Sequence, residues 1–259
     1  MKYLLPALRV ELLKVRKSKV VWITTGAFTL APLIAGFFMF VLRYPAFAER
    51  SGLLGAQAQI VGEASWPAYL NLLAQMIAVG GILIFGFVSS WLFGREYADG
   101  TIKDLLALPY PRAVMVAAKF IAAGLTCLLI SLYIITLGLL LGWFVGLPQG
   151  SLDVFLQGLG VLLLVTVLVI LLSTPVAFMA CYSRGYLAPL GFVIIVLVFA
   201  QIIAAAGFGA YFPWAIPALY SGIVASSMAL DWLGLMLIFI TSIIGVGSTL
   251  AWWLMADQH

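Results

Sequence analysis

The residues able to do chemistry are few in this 259-residue chain, and they are gathered. Arg95, Glu96, Asp99, Lys103, Asp104 and Arg112 place six charges within the eighteen residues from 95 to 112, between two long hydrophobic segments. These types and spacings suit recognition by charge rather than bond breaking. Gly100 breaks a helix arriving from before it. Thr101 and Asp104 then form the pattern [ST]-x-x-[DE], in which each side chain serves a free backbone N–H near the other. Pro109 disfavours helical backbone at Leu108. The pattern predicts one short helix from about Ile102 to Leu108, with Ile102, Leu105 and Leu106 on one side and Lys103 and Asp104 flanking it.

Catalytic and nucleotide-binding constellations are absent. No G-x-x-x-x-G-K-[ST] is present, so no P-loop is expected, and neither G-x-S-x-G nor H-E-x-x-H occurs. His259, the sole histidine, is the last residue. Cys127 and Cys181 lie in apolar segments and read as small buried hydrophobes. No metal site is predicted. The acids sit mostly at segment ends, whereas a proton- or sodium-coupled carrier uses an ionisable group within the membrane. That pattern fits a machine driven by a partner.

The elements that must position the charged stretch are membrane spans. The chain is 65% hydrophobic and 8% charged, with a mean hydropathy of +1.20. A soluble domain carries about 25% charge. The expectation is an all-α polytopic protein forming one transmembrane domain over residues 1–259, with no cleavable signal peptide. Six spans are predicted at about 20–42, 68–93, 113–145, 154–182, 186–206 and 232–255, with the charged loop at 94–112. Pro32 and Thr174-Pro175 are candidate kinks. Gly138, Gly142 and Gly146 form a small-residue ridge, suited to packing within the chain or against a second protomer.

Residues 2–18 read as an amphipathic interfacial helix with Leu4, Leu5, Leu8, Leu12 and Val15 on one stripe. Arg9, Lys14, Arg16, Lys17 and Lys19 are its expected anchors at the membrane surface, though a specific contact with an ATPase is the alternative. The stretch 207–230 is too apolar for a solvated loop. It is expected to be re-entrant, broken near Pro213 and Pro217, with Phe212, Pro213, Trp214 and Pro217 closing the outer side. Trp252 and Trp253 are expected at the opposite interface.

The formal net charge of +4 carries less information than its distribution. With the N-terminus inside, eleven Lys and Arg residues fall on the cytoplasmic side and two, Arg43 and Arg50, outside. The bias predicts two cytoplasmic termini and hence an even number of spans. The basic residues hug the ends of apolar runs, so the partner is membrane lipid rather than nucleic acid.

Arg95-Glu96, Gly100-Thr101, Leu105-Leu106, Pro109, Arg112 and Lys119 together resemble the first cytoplasmic loop of type-2 ABC exporter permeases, most of all the short permeases of bacitracin and lantibiotic export or immunity systems. The resemblance implies six spans and a separate ATP-binding subunit in two copies, which would hold the ATP and magnesium. It also implies a second permease chain, identical or closely related, in the inner membrane. It makes the loop a coupling helix, with Glu96, Gly100, Thr101, Ile102, Lys103, Asp104, Leu105, Leu106 and Arg112 facing the ATPase. The substrate expected from the apolar, aromatic outer half is amphipathic or lipid-like, such as a peptide antibiotic. The alternatives are a membrane-embedded enzyme or assembly factor acting without an ATPase, and a structural scaffold.

Overall fold

The computed structural model describes residues 3–44, 63–106, 110–222 and 231–255, without the side chains of Lys103 and Leu106. Residues 45–62, the expected helix end at Leu108 and Pro109, the stretch 223–230 and His259 lie outside the described residues. The helices are α1 (Leu4–Lys17), α2 (Lys19–Arg43), α3 (Trp66–Ala98), α4 (Ile102–Leu106), α5 (Arg112–Val145), α6 (Leu152–Leu172), α7 (Thr174–Tyr182), α8 (Leu187–Ala205), α9 (Ile216–Tyr220) and α10 (Trp232–Met255). A 3-10 turn, Gly209–Tyr211, precedes α9, and no strand occurs among the described residues. Six segments are long and apolar enough to cross a membrane: α2, α3, α5, α6 with α7, α8 and α10.

The span that begins the charged stretch is longer than its hydropathy indicates. Ser65 accepts from Ala68 N and starts α3, and Pro67 in the first turn loses no hydrogen bond there. At the other end the helix continues through Gly94 and Arg95-Glu96 to Ala98. Gly100 then takes φ +71°, a left-handed conformation open to glycine, and the chain turns. Arg95 and Glu96 therefore belong to the last turns of a spanning helix, not to a loop.

α3 is the axis of the fold and packs against α2, α5, α6, α7 and α8. Tyr69, Leu73, Ile77 and Phe85 run down its buried faces. The small-residue ridge of α5 faces this axis: a Cβ on Gly138 would meet Leu73 at 2.6 Å, and one on Gly142 would meet Trp66 at 2.7 Å. Tyr69 Oη donates to the Gly138 carbonyl at 3.0 Å. Of the two predicted uses of the ridge, these contacts serve packing within the chain.

The fourth span breaks at Ser173, just before Pro175, as the Thr174-Pro175 pair predicts. α10 crosses at this break, where a Cβ on Gly245 would stand 2.5 Å from Pro175 N. Thr174 Oγ1 donates to Leu171 O and approaches the Ser242 hydroxyl at 3.3 Å, so the freed polar groups stay bonded inside the protein. Trp253 is buried in the core, and its Nε1 donates to the Cys181 thiol at 3.3 Å. It is thus not the interfacial aromatic that its position suggested. Cys127 and Cys181 are both buried.

Candidate functional site

Four ionisable side chains from three helices meet where α3 ends. Glu96 is 4% exposed, and Lys119 on α5 is wholly buried. Lys119 Nζ lies 2.9 Å from Glu96 Oε1 and 3.3 Å from Glu11 Oε2, and it donates to the Leu92 carbonyl at 3.2 Å. Lys14 Nζ lies 2.7 Å from both Glu11 Oε1 and Glu96 Oε1. Two acids and two bases thus form a neutral ring that joins α1 to α3 and α5. A buried ion pair gains enough to offset its desolvation only with close geometry and further hydrogen bonds. Lys119 has both. Burial works against the Lys14 ammonium, but Glu96 and Glu11 outweigh it and hold its pKa above the ordinary lysine value.

The apolar stripe of α1 completes the joint. Leu8, Leu12 and Val15 pack onto a cluster that includes Trp91, Leu92, Met115 and Ala122. The helix therefore turns this stripe towards protein rather than down into lipid, while Leu5 stays exposed. Arg9, Arg16, Lys17 and Lys19 are exposed, and Lys14 turns inward to the ring.

α4 rests on the same joint. Ile102 is buried in the cluster with Trp91 and Met115, and Leu105 packs at its edge. Leu105 also borders a cleft of about 90 Å³ against Pro6, Ala7 and Val10 of α1. Thr101 and Asp104 are exposed, and Leu105 N donates to Thr101 O at 3.1 Å. Two expectations are corrected here. Glu96 and Ile102 do not face outward for a partner; the chain's own core takes both, because α3 continues past Glu96 and Ile102 enters the cluster with Trp91 and Met115. Arg112 reaches α10 and donates to the Trp253 carbonyl at 3.1 Å.

A second contact closes the joint from the side of α8. A Cβ on Gly94 would stand 2.5 Å from the Gly185 carbonyl, so only glycine admits the Ser183–Gly185 turn here. Ser90 Oγ donates to the Tyr186 carbonyl at 2.8 Å beside it.

The residues predicted to close the outer side lie at the far end of α8. Phe212 and Trp214 stack with centroids 5.6 Å apart, and Trp214 meets Phe192 edge-on at 6.3 Å. Ala215, Ile216 and Pro217 are buried. Pro213 lies in the turn before α9, but Pro217 starts that helix instead of breaking one, since its missing N–H costs nothing in a first turn. A cavity of about 230 Å³ lies between Ile82, Gln201, Trp214 and Ala218.

Glu11 is the site residue that sequence reasoning missed. Its signal was present: positions 4, 8, 11 and 15 continue one helical stripe, and an acid set among leucines and a valine requires a cation. Lys119, in an otherwise apolar span, is that cation.

These features define a polytopic helical membrane protein with a charge-locked joint at one end of its central span. The family model described as ABC-2 family transporter protein matches residues 7–201, most of the chain, and the protein belongs to that family. It is a transporter membrane protein and not itself an enzyme. Over 181 residues, 69% of this chain and 86% of the relative, it is 25% identical to the bacitracin transport permease protein BCRB of Bacillus licheniformis.

Proposed function

We propose that the chain is the permease subunit of an ATP-driven exporter, with ATP hydrolysed by a separate subunit in two copies and the pathway completed by a second permease chain. The observation that carries this reading is the joint of α1, α3 and α5 with α4 upon it. A partner pressing on α4 would push on Ile102, and through it on the ends of two spans at once. Thr101, Asp104 and the edge of Leu105 are the described groups left to meet such a partner, with Lys103 and Leu106 beside them in sequence. The concentration of Lys and Arg on this side supports cytoplasmic termini in an inner membrane. Exposed Arg9, Arg16, Lys17 and Lys19 would hold α1 at the anionic surface.

The substrate class follows from the relative's name and from the apolar outer half: an amphipathic compound such as a peptide antibiotic. Phe212, Pro213, Trp214 and Pro217 would close its path on the outer side. Purification of the tagged chain from its native membranes tests the reading. A stoichiometric ATP-binding cassette subunit is expected in the complex. A complex without one, retaining export in vesicles, overturns it.

A further inference from the structure

A second polar cavity lies on the other flank of the ring, and neither the ring nor α4 uses it. It measures about 400 Å³ and is bounded by the end of α1 (Lys17), the start of α2 (Ser18), the end of α3 (Trp91, Arg95) and the start of α8 (Tyr186). Lys14 also borders it, but its ammonium is held at 2.7 Å by two carboxylates. The charges left at the cleft are the cations Lys17 and Arg95 and the carboxylate of Asp99, which also borders it, an excess of one positive charge. The Arg95 guanidinium lies 4.9 Å from the centre of the Trp91 ring, which fixes the plane of its donor fork. Its one acidic neighbour, Asp99, is 3.8 Å from Nε and largely exposed, a weak pair that leaves the terminal nitrogens to other acceptors. The Ser18 hydroxyl accepts from Val20 N, which leaves its own proton to donate.

We propose that this cleft binds a phosphate group at the membrane boundary, with Lys17 and Arg95 supplying charge and Ser18 and Tyr186 supplying hydroxyls. A planar fork beside an ammonium is the donor set that phosphate oxygens fit. The cleft opens where the first apolar residues of α2 and α8 begin, the depth of lipid headgroups. Its ligand is therefore the phosphodiester of an anionic lipid or a free phosphate with the same oxygens. α1 and α3 also end here, and their free carbonyls take up part of the positive charge. Cations present for that purpose alone would bind no anion.

The proposal is independent of transport and of any ATPase, and its readout is binding. Wild-type protein, Lys17→Gln and the Lys17→Gln/Arg95→Gln double variant are extracted from membranes containing phosphatidylglycerol, and retained lipid is counted by native mass spectrometry. Each lost cation should lower retention about five-fold, the equivalent of about 1 kcal/mol per basic side chain at a membrane surface. Arg43→Gln, which removes a cation from the far end of α2, outside the cleft, should retain lipid as the wild type does. In a second arm, the same proteins in phosphatidylcholine vesicles are titrated with inorganic phosphate against chloride at matched ionic strength, and tryptophan fluorescence is followed. Retention that falls in the cleft variants without a phosphate response assigns a lipid headgroup. A phosphate response lost in those variants assigns free phosphate. Equal retention in all variants with no phosphate response, or an equal fall in the Arg43 control, overturns the site. Lys17 is exposed, so its single variant keeps the test valid even if the double variant folds poorly.

Discussion

Lys119 Nζ lies 2.9 Å from Glu96 Oε1, and neither side chain reaches solvent. The pair binds α5 to the axis: α5 cannot slide along α3 without separating two buried charges. Lys119→Met should leave Glu11 and Glu96 facing Lys14 alone and cost roughly 3–5 kcal/mol, the usual penalty for stranding one partner of a buried pair. Glu96→Gln with Lys119→Met should recover part of that loss. Thermal unfolding in detergent measures both. Equal losses in the single and double variants would show that the charges do not act on each other.

The ring is also expected to resist pH over the neutral range and to fail in alkali. Lys14 has a folded-state pKa above its ordinary 10.5, so its contribution is complete below that value and is lost as pH rises through the higher one. The Tm in detergent should hold through neutral pH and fall above about 10.5. Lys14→Met should lower the Tm at neutral pH, cost nothing once pH exceeds the folded-state pKa, and shrink the alkaline step.

Gly94→Ala sets a methyl group 2.5 Å from the Gly185 carbonyl, and backbone yields less readily than a side chain. The expected cost is about 1–3 kcal/mol, the usual range for overpacking. The turn at Ser183–Gly185 should lift from α3, and Arg184 should become more accessible to trypsin. Gly191→Ala, where nothing stands within 4 Å of the added Cβ, is the control.

Transmission through α4 is tested at its outer groups. Asp104→Lys reverses an exposed charge and should weaken capture of the ATP-binding subunit without changing the Tm of the permease alone. Leu105→Asp with Leu106→Asp should abolish both capture and export while the spans remain inserted. Ile102→Asp should lower the Tm as well, because Ile102 belongs to the permease core. Unchanged capture and export in the Leu105/Leu106 variant would place the transmission elsewhere.

Hydropathy sufficed for the six long helices, because about 20 apolar residues in a row have few other uses. It failed at the ends of α3, where capping and packing set the limits: Ser65 starts the helix before the apolar run, and Glu96 extends it past the run because Lys119 and Lys14 receive the charge. The Thr174-Pro175 break was legible, whereas Pro32, read the same way, lies inside the uninterrupted α2. The direction of α1 was not. An amphipathic helix shows which side is apolar, and nothing in its own sequence tells whether lipid or protein meets that side. Glu11 in the apolar stripe held the answer, but only jointly with Lys119, 108 residues away. Glu96 and Ile102 were misdirected for a related reason. A charge and an isoleucine between spans look like an exterior whenever the third helix that covers them is out of view.

The order of the ring along the chain bears on how the protein is made. Glu11 and Glu96 both precede Lys119, so the ribosome releases two anions before the cation they enclose. A lysine buried among apolar helices without a counter-charge is costly. Here α1 and α3 are already synthesised when α5 emerges, and N-terminal segments fold first. α5 can thus enter the membrane with its counter-charges waiting, and a permuted gene that placed Lys119 ahead of Glu11 and Glu96 would have to insert it bare.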